Sequence, residues 1–110
     1  MNSRCLQYDA GHILSNGEPY KRRDGPANHG IYFLINENRI VYVGKALGIW
    51  MRLDQHAIQG KLFSHYWCFG GVPYDWLRHV EGFYINRFRP AYNLDHVIYN
   101  KALDLTGTKA

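Results

Sequence analysis

Glu81 stands where a carboxylate is costly. Leu77, Val80, Tyr84 and Phe88 recur at helical spacing, and Glu81 falls inside their stripe. A carboxylate on a buried face needs an ion pair, hydrogen bonds or a metal ion. A salt bridge at the core edge, for example to Arg52, meets that need as well as a metal does. Gly82, beside it, is a poor helix residue, and close packing against another backbone would explain it. Arg52 and His56 are four residues apart, so a helix puts them on one face. Lys21-Arg22-Arg23 is the one clustered basic run; it suits a solvated loop or contacts to an anion.

The elements that would position these groups are legible from residue 30 onwards. Ile31–Ile35 and Ile40–Val43 are apolar, β-rich runs around Asn36-Glu37-Asn38, which predicts a hairpin. From Gly48 to about Gln59 the period becomes helical, with Trp50, Leu53 and Ala57 as the apolar stripe and Ile49 beside it. On a helical wheel Arg52 and His56 face away from that stripe. Gly60 suits the end of the helix. Tyr66–Phe69 reads as a third short strand. A second helix starts near Pro73 and stops before Pro90, which restricts Arg89. The order β-β-α-β-α predicts an α+β fold, an α/β sandwich with a small central antiparallel three-stranded sheet flanked by helices. Residues 1–29 carry many breakers (Gly11, Asn16-Gly17, Pro19, Gly25-Pro26) and read as an irregular arm with one short strand near His12–Leu14. Residues 95–110 read as a C-terminal extension.

Composition narrows the function classes. A chain of 110 residues is one domain with one core. It is 46% hydrophobic, which argues against wholesale disorder. Mean hydropathy is −0.39 and no apolar run approaches the ~18 residues of a membrane span. The first residues lack a basic start followed by an apolar signal core. The expectation is an intracellular, cytoplasmic protein with no membrane partner. Thirteen Lys and Arg against nine Asp and Glu give a net charge of +4, which favours an anionic partner, nucleic acid first. Cys5 and Cys68 are too few for a disulfide scaffold, and the remaining histidines show no ligand spacing.

Taken in order, several motifs resemble one family. Gly30-Ile31-Tyr32 followed by Tyr42-Val43-Gly44 resembles the signature of the GIY-YIG nucleases. Tyr42-Val43-Gly44-Lys45-Ala46 is similar to the branch found in bacterial nucleotide-excision-repair endonucleases. Arg52, ten residues after Tyr42, stands at the family's helix arginine, and His56 where the family carries His or Tyr. Glu81 matches its metal-binding glutamate, and Pro90-Ala91-Tyr92-Asn93 its terminal P-x-Y-N motif. The likeness spans residues 30–94, which would make that stretch the nuclease domain. Residues 1–29 match no motif of it, and Gly48 stands where the family often has Asn.

The resemblance implies a metal-dependent endonuclease that hydrolyses DNA phosphodiesters. That reaction needs an aimed, deprotonated water, neutralised phosphate charge and a stabilised leaving group. One matched carboxylate implies a single-metal site at Glu81, with Mg²⁺ as occupant and Mn²⁺ fitting the same ligand logic. Arg52 would clamp the phosphate. Tyr32, assisted by Lys45 or by the ion's water, is the candidate general base, since an unperturbed phenol near pKa 10 is a poor base at neutral pH. Tyr42 would orient the water or phosphate. His56 is an alternative base, a phosphate donor or an orienting group, and Asn93 would shape the site by hydrogen bonds. Lys21, Arg22 and Arg23 would add contacts to nucleic acid. A non-catalytic nucleic-acid-binding module of the same fold, or a subunit targeted by a partner protein, is the rival reading. Cutting both strands would need a homodimer or two successive events.

The hairpin carries a geometric expectation. Residues opposite each other in an antiparallel pair share a face. A three-residue loop, Asn36-Glu37-Asn38, sets Tyr32 opposite Tyr42, with both phenols on the face that receives Arg52 and Glu81. A two-residue Glu37-Asn38 turn would send them to opposite faces, and Glu is unfavourable at positive φ.

Overall fold

The computed structural model describes residues 3–26 and 28–94. The expected extension at 95–110 lies outside the described residues. Four strands form one antiparallel sheet: β1 (Glu18–Pro19), β2 (Gly30–Asn36), β3 (Arg39–Ala46) and β4 (His65–Phe69). Their order is β1-β4-β2-β3, so β2 is interior and β3 has a free edge. The fourth strand, β1, is an addition to the expected three. It pairs Glu18 with Tyr66 and Pro19 with His65, and a proline is tolerated there because β1 is an edge.

Interior position explains the unbroken apolar run of β2. Ile31, Phe33 and Ile35 enter a core with Val43, Leu77, Val80 and Tyr84. Tyr32 and Leu34 enter a second core on the other face, with Ile49 and Leu53. Helix α3 (Leu77–Phe88) therefore covers one face and helix α2 (Ile49–Ile58) the other. The face of α2 that is buried is Ile49, Leu53 and His56, turned from the expected Trp50–Leu53–Ala57 stripe. An imidazole can be buried there because Tyr32 gives it a hydrogen-bond partner.

Where a strand was expected near His12–Leu14, helix α1 runs from Ala10 to Ser15. The Asp9 carboxylate accepts from the His12 amide at 2.8 Å, an N-cap that the surrounding breakers obscured. Ile13 and Cys5 are buried in the α3-side core, and the Tyr84 hydroxyl donates to the Cys5 carbonyl at 2.7 Å. The N-terminal segment is thus fastened to α3.

The hairpin turn differs from expectation, yet its consequence stands. Asn36 pairs with Arg39 across a two-residue Glu37-Asn38 turn, both at positive φ (50° and 59°). Positive φ at both positions matches the twist of the flanking strands, which outweighs glutamate's preference. A register shift follows: Ile35 pairs with Ile40 but Leu34 pairs with Tyr42, leaving Val41 as an extra residue. That bulge reverses the parity set by the short turn. Tyr32 and Tyr42 end on the same face, ring centroids 6.1 Å apart.

Both glycines of the hairpin are required by close approach. Gly30 lies against the Phe69 carbonyl of β4, and Gly44, opposite Tyr32, lies beneath the Tyr32 phenol. A Cβ at either position would collide. Gly82 is different: a Cβ there meets nothing within 4 Å, so close packing is not its explanation.

Candidate active site

The free edge of β3 brings together residues from both faces of the sheet. A cleft of about 490 Å³ opens there, and Tyr42, Arg52, His56, Glu81 and Asn93 line it. Tyr42 and Arg52 arrive from the α2 side. Glu81 arrives from α3, on the opposite side, and meets them around the edge; the expected common face holds for the phenols and Arg52 but not for Glu81.

Asn93 closes this edge. Its Oδ1 accepts from the Val43 amide at 2.9 Å and its Nδ2 donates to the Val43 carbonyl at 3.0 Å. Those are the main-chain groups that an edge strand leaves unpaired. The side-chain amide therefore replaces a missing strand at one residue and pins the segment after α3 to the cleft.

Tyr32 is 1% exposed and lies behind the cleft lining. Its hydroxyl is 2.6 Å from Nε2 of His56, while Nδ1 of that ring is buried without a hydrogen-bond partner. The His56 ring also packs on Tyr42, with centroids 4.6 Å apart. Burial, aided by the charges of Lys61 and Arg52, holds the His56 pKa down at about 4. It is a neutral imidazole at pH 7. Burial raises both phenol pKa values; the neighbouring Tyr42 adds to that of Tyr32 and Glu81 to that of Tyr42, while Arg52 opposes both. The cation that opposes the rise of both phenol pKa values is therefore Arg52. Lys45, expected to do this, has its side chain on the α3 side and pairs with Glu81, Nζ to Oε1 3.9 Å.

That pair also answers what offsets the Glu81 charge. The partner is Lys45 rather than Arg52. Burial nevertheless pushes the Glu81 carboxyl up, against the opposing pull of the Lys45 charge and amide, Arg78 and Arg52. A long ion pair to a half-exposed lysine does not replace the lost hydration.

Sequence reasoning missed Lys61 and Tyr92. Lys61 Nζ stands over the Tyr42 ring at 5.5 Å and near Tyr92 at 6.0 Å. Tyr92 accepts from the Leu62 amide at 2.9 Å and so fixes this corner of the cleft. Tyr92 lies inside the P-x-Y-N motif, which was its available signal; nothing local marks Lys61. The Lys21-Arg22-Arg23 run is away from the cleft lining. The Tyr20 hydroxyl donates to Asp54 at 2.6 Å and the Arg23 amide donates to the same carboxylate at 3.0 and 3.1 Å, so the run is held on the flank of α2.

Among the described residues no three His, Cys, Asp or Glu side chains form a metal cluster, and no helix is long and apolar enough to cross a membrane.

Neither a protein-family model nor a curated protein sequence matches the chain. Solved structures do. The magnesium-bound GIY-YIG N-terminal endonuclease domain of UvrC from Thermotoga maritima aligns with a TM-score of 0.50 and 16% identity, over 84% of this chain and 98% of that one. A point mutant of the same domain, bound to its catalytic divalent cation, aligns with a TM-score of 0.50 and 20% identity, over 61% and 83%. The likeness establishes the fold: this chain has the α+β GIY-YIG architecture.

Proposed function

We propose that the chain is a metal-dependent endonuclease that hydrolyses DNA phosphodiesters at the β3 edge. The observation that carries this reading is the convergence of a half-buried carboxylate, Glu81, offset only by a long ion pair to Lys45, and the guanidinium of Arg52 on one open cleft backed by two phenols and an imidazole. The residues fit one Mg²⁺ or Mn²⁺. A single carboxylate beside open volume suits an ion that keeps most of its water and takes substrate oxygens, and it does not suit an all-protein cage. Glu81 would hold the ion, which supplies Lewis-acid charge stabilisation when bound.

The chain's own residues do the rest. Arg52 meets the charge that builds on the phosphate. Tyr42, which lines the cleft, orients the attacking water. Tyr32 and His56 act together in proton transfer. The raised phenol pKa argues against a standing phenolate, but Tyr42 can take a proton from water as it passes its own to Tyr32, which in turn gives its proton to neutral His56. Asn93 holds the two walls in register.

The test is cleavage with Mg²⁺ of duplex, nicked, flapped and junction DNA and of RNA, with Glu81→Ala as control. Cleavage of DNA by the wild-type chain, lost in the folded variant, supports the reading. A folded chain that binds DNA and cuts none of these makes it a non-catalytic binding module instead.

A further inference from the structure

A second groove adjoins the cleft and shares Arg52 with it. Its volume is about 390 Å³, and its walls are the end of β3 and the start of α2 on one side and the first turns leading into α3 on the other. Lys45, Arg52 and Arg78 line it, with Asp75 as the one carboxylate among the lining residues. Neither Arg52 nor Arg78 has a carboxylate within ion-pair distance among the described residues. Both act on Glu81 only at a distance, so their hydrogen-bonding forks remain open to a phosphate. Tyr74 stands at the same groove and is 68% exposed, with no ring packed on it among the described residues. A singly exposed ring is ordinary on a protein surface, but this one stands beside three cations with its face open to a base.

We propose that this groove binds one unpaired nucleotide of the substrate strand next to the scissile phosphate, its phosphate between Lys45 and Arg78 and its base stacked on Tyr74. The inference rests on the endonuclease reading, because Arg52 is what joins the groove to the cleft. Cations that track the backbone and an aromatic ring that takes a base face are the two parts of a single-strand site. A base can reach Tyr74 only when it is unpaired. The substrate class is therefore DNA with a flap, a fray or a single-stranded end, rather than intact duplex.

The experiment measures binding of a flapped duplex carrying 2-aminopurine at the first unpaired nucleotide, without divalent metal, so that no strand is cut. Wild type should quench the fluorophore by stacking. Tyr74→Ala should abolish the quenching and weaken flap binding roughly 5- to 150-fold, the range of one base–aromatic stack. Tyr74→Trp should restore both, and Arg78→Ala should weaken flap binding while blunt-duplex affinity changes less than twofold. Equal affinity of wild type and Tyr74→Ala for the flap, or unchanged quenching, overturns the proposal. Its failure is separable from that of the endonuclease reading. Glu81-dependent cleavage with no Tyr74-dependent quenching removes the groove alone. Quenching without cleavage of any substrate removes the catalytic reading and leaves the groove as a binding site.

Discussion

The Tyr32 hydroxyl and Nε2 of His56 lie 2.6 Å apart in a pocket where His56 is only 6% exposed. Burial and two nearby cations hold the imidazole pKa at about 4, below its ordinary 6.5. Between those values the unfolded chain binds a proton at His56 that the folded chain does not. Stability is therefore full above about pH 6.5 and falls as the pH drops towards 4, by at most about 3 kcal/mol. Urea midpoints at pH 7, 6, 5 and 4 should fall more steeply for wild type than for His56→Gln, which keeps a polar partner but does not titrate. Equal slopes would show that His56 titrates normally.

Glu81 has the opposite sign. Its carboxyl pKa is raised by burial, so the charged form is disfavoured in the folded state and protonation favours folding. Glu81→Gln should leave the metal-free protein at least as stable as wild type at pH 7. Mg²⁺ should raise the melting temperature of wild type and not that of the variant, by the usual linkage of a ligand to the folded state. A variant that loses several degrees without metal, or still gains with it, counts against Glu81 as the metal ligand.

Arg52 is exposed and makes no ion pair among the described residues, so Arg52→Ala should fold normally. If it clamps the phosphate, single-turnover cleavage should fall by two orders of magnitude or more, about 3 kcal/mol of transition-state stabilisation. Arg52→Lys should recover part of this at best, because an ammonium lacks the planar donor fork. A near-normal rate in Arg52→Ala would place the phosphate elsewhere.

What could be read in the sequence was set by what is local. The hairpin, both main helices and the clustering of Tyr42, Arg52, His56, Glu81 and Asn93 follow from periodicity and from motifs whose spacing resembles one family. The turn was misjudged because a register depends on the whole strand: the extra residue at Val41 restored a parity that turn chemistry alone would have broken. The rotation of α2 was misjudged because His56 counts as polar until Tyr32 arrives from another strand. Lys45 was assigned to a phenol because both lie on the hairpin, while alternation sends its side chain to the α3 face. Lys61 reaches Tyr42 only through the tertiary fold, and no pattern of residues announces that.

Two glycines make opposite predictions. Gly44→Ala should destabilise by roughly 2 kcal/mol or more, since its Cβ would meet the buried Tyr32 ring, and it should slow cleavage by displacing the phenol from His56. Gly82→Ala should stabilise by about 1 kcal/mol, because the site is mid-helix with open space around it. Denaturation of the two variants beside wild type decides both. A stable Gly44→Ala would mean that the Tyr32 ring can move aside at little cost.

Asn93 offers the most local test of how the cleft is held. Val43 is fully buried, and its amide and carbonyl face the free edge of the sheet, where the Asn93 side chain is the group that satisfies both. Asn93→Ala should leave two buried main-chain groups unpaired, at roughly 1–3 kcal/mol for each unsatisfied group before relaxation or water entry. Asn93→Asp should not rescue the loss: it keeps an acceptor for the amide but sets a carboxylate oxygen against the Val43 carbonyl. The defect should be confined to the edge. In hydrogen exchange followed by NMR, the Val43 amide should exchange faster in Asn93→Ala, while amides bonded between β2 and β4 keep their wild-type protection relative to the new global stability. Cleavage should fall as well, because Glu81 and Tyr42 are then no longer held on opposite walls of one cleft. An unchanged Val43 exchange rate would mean that Asn93 does not hold this edge in solution.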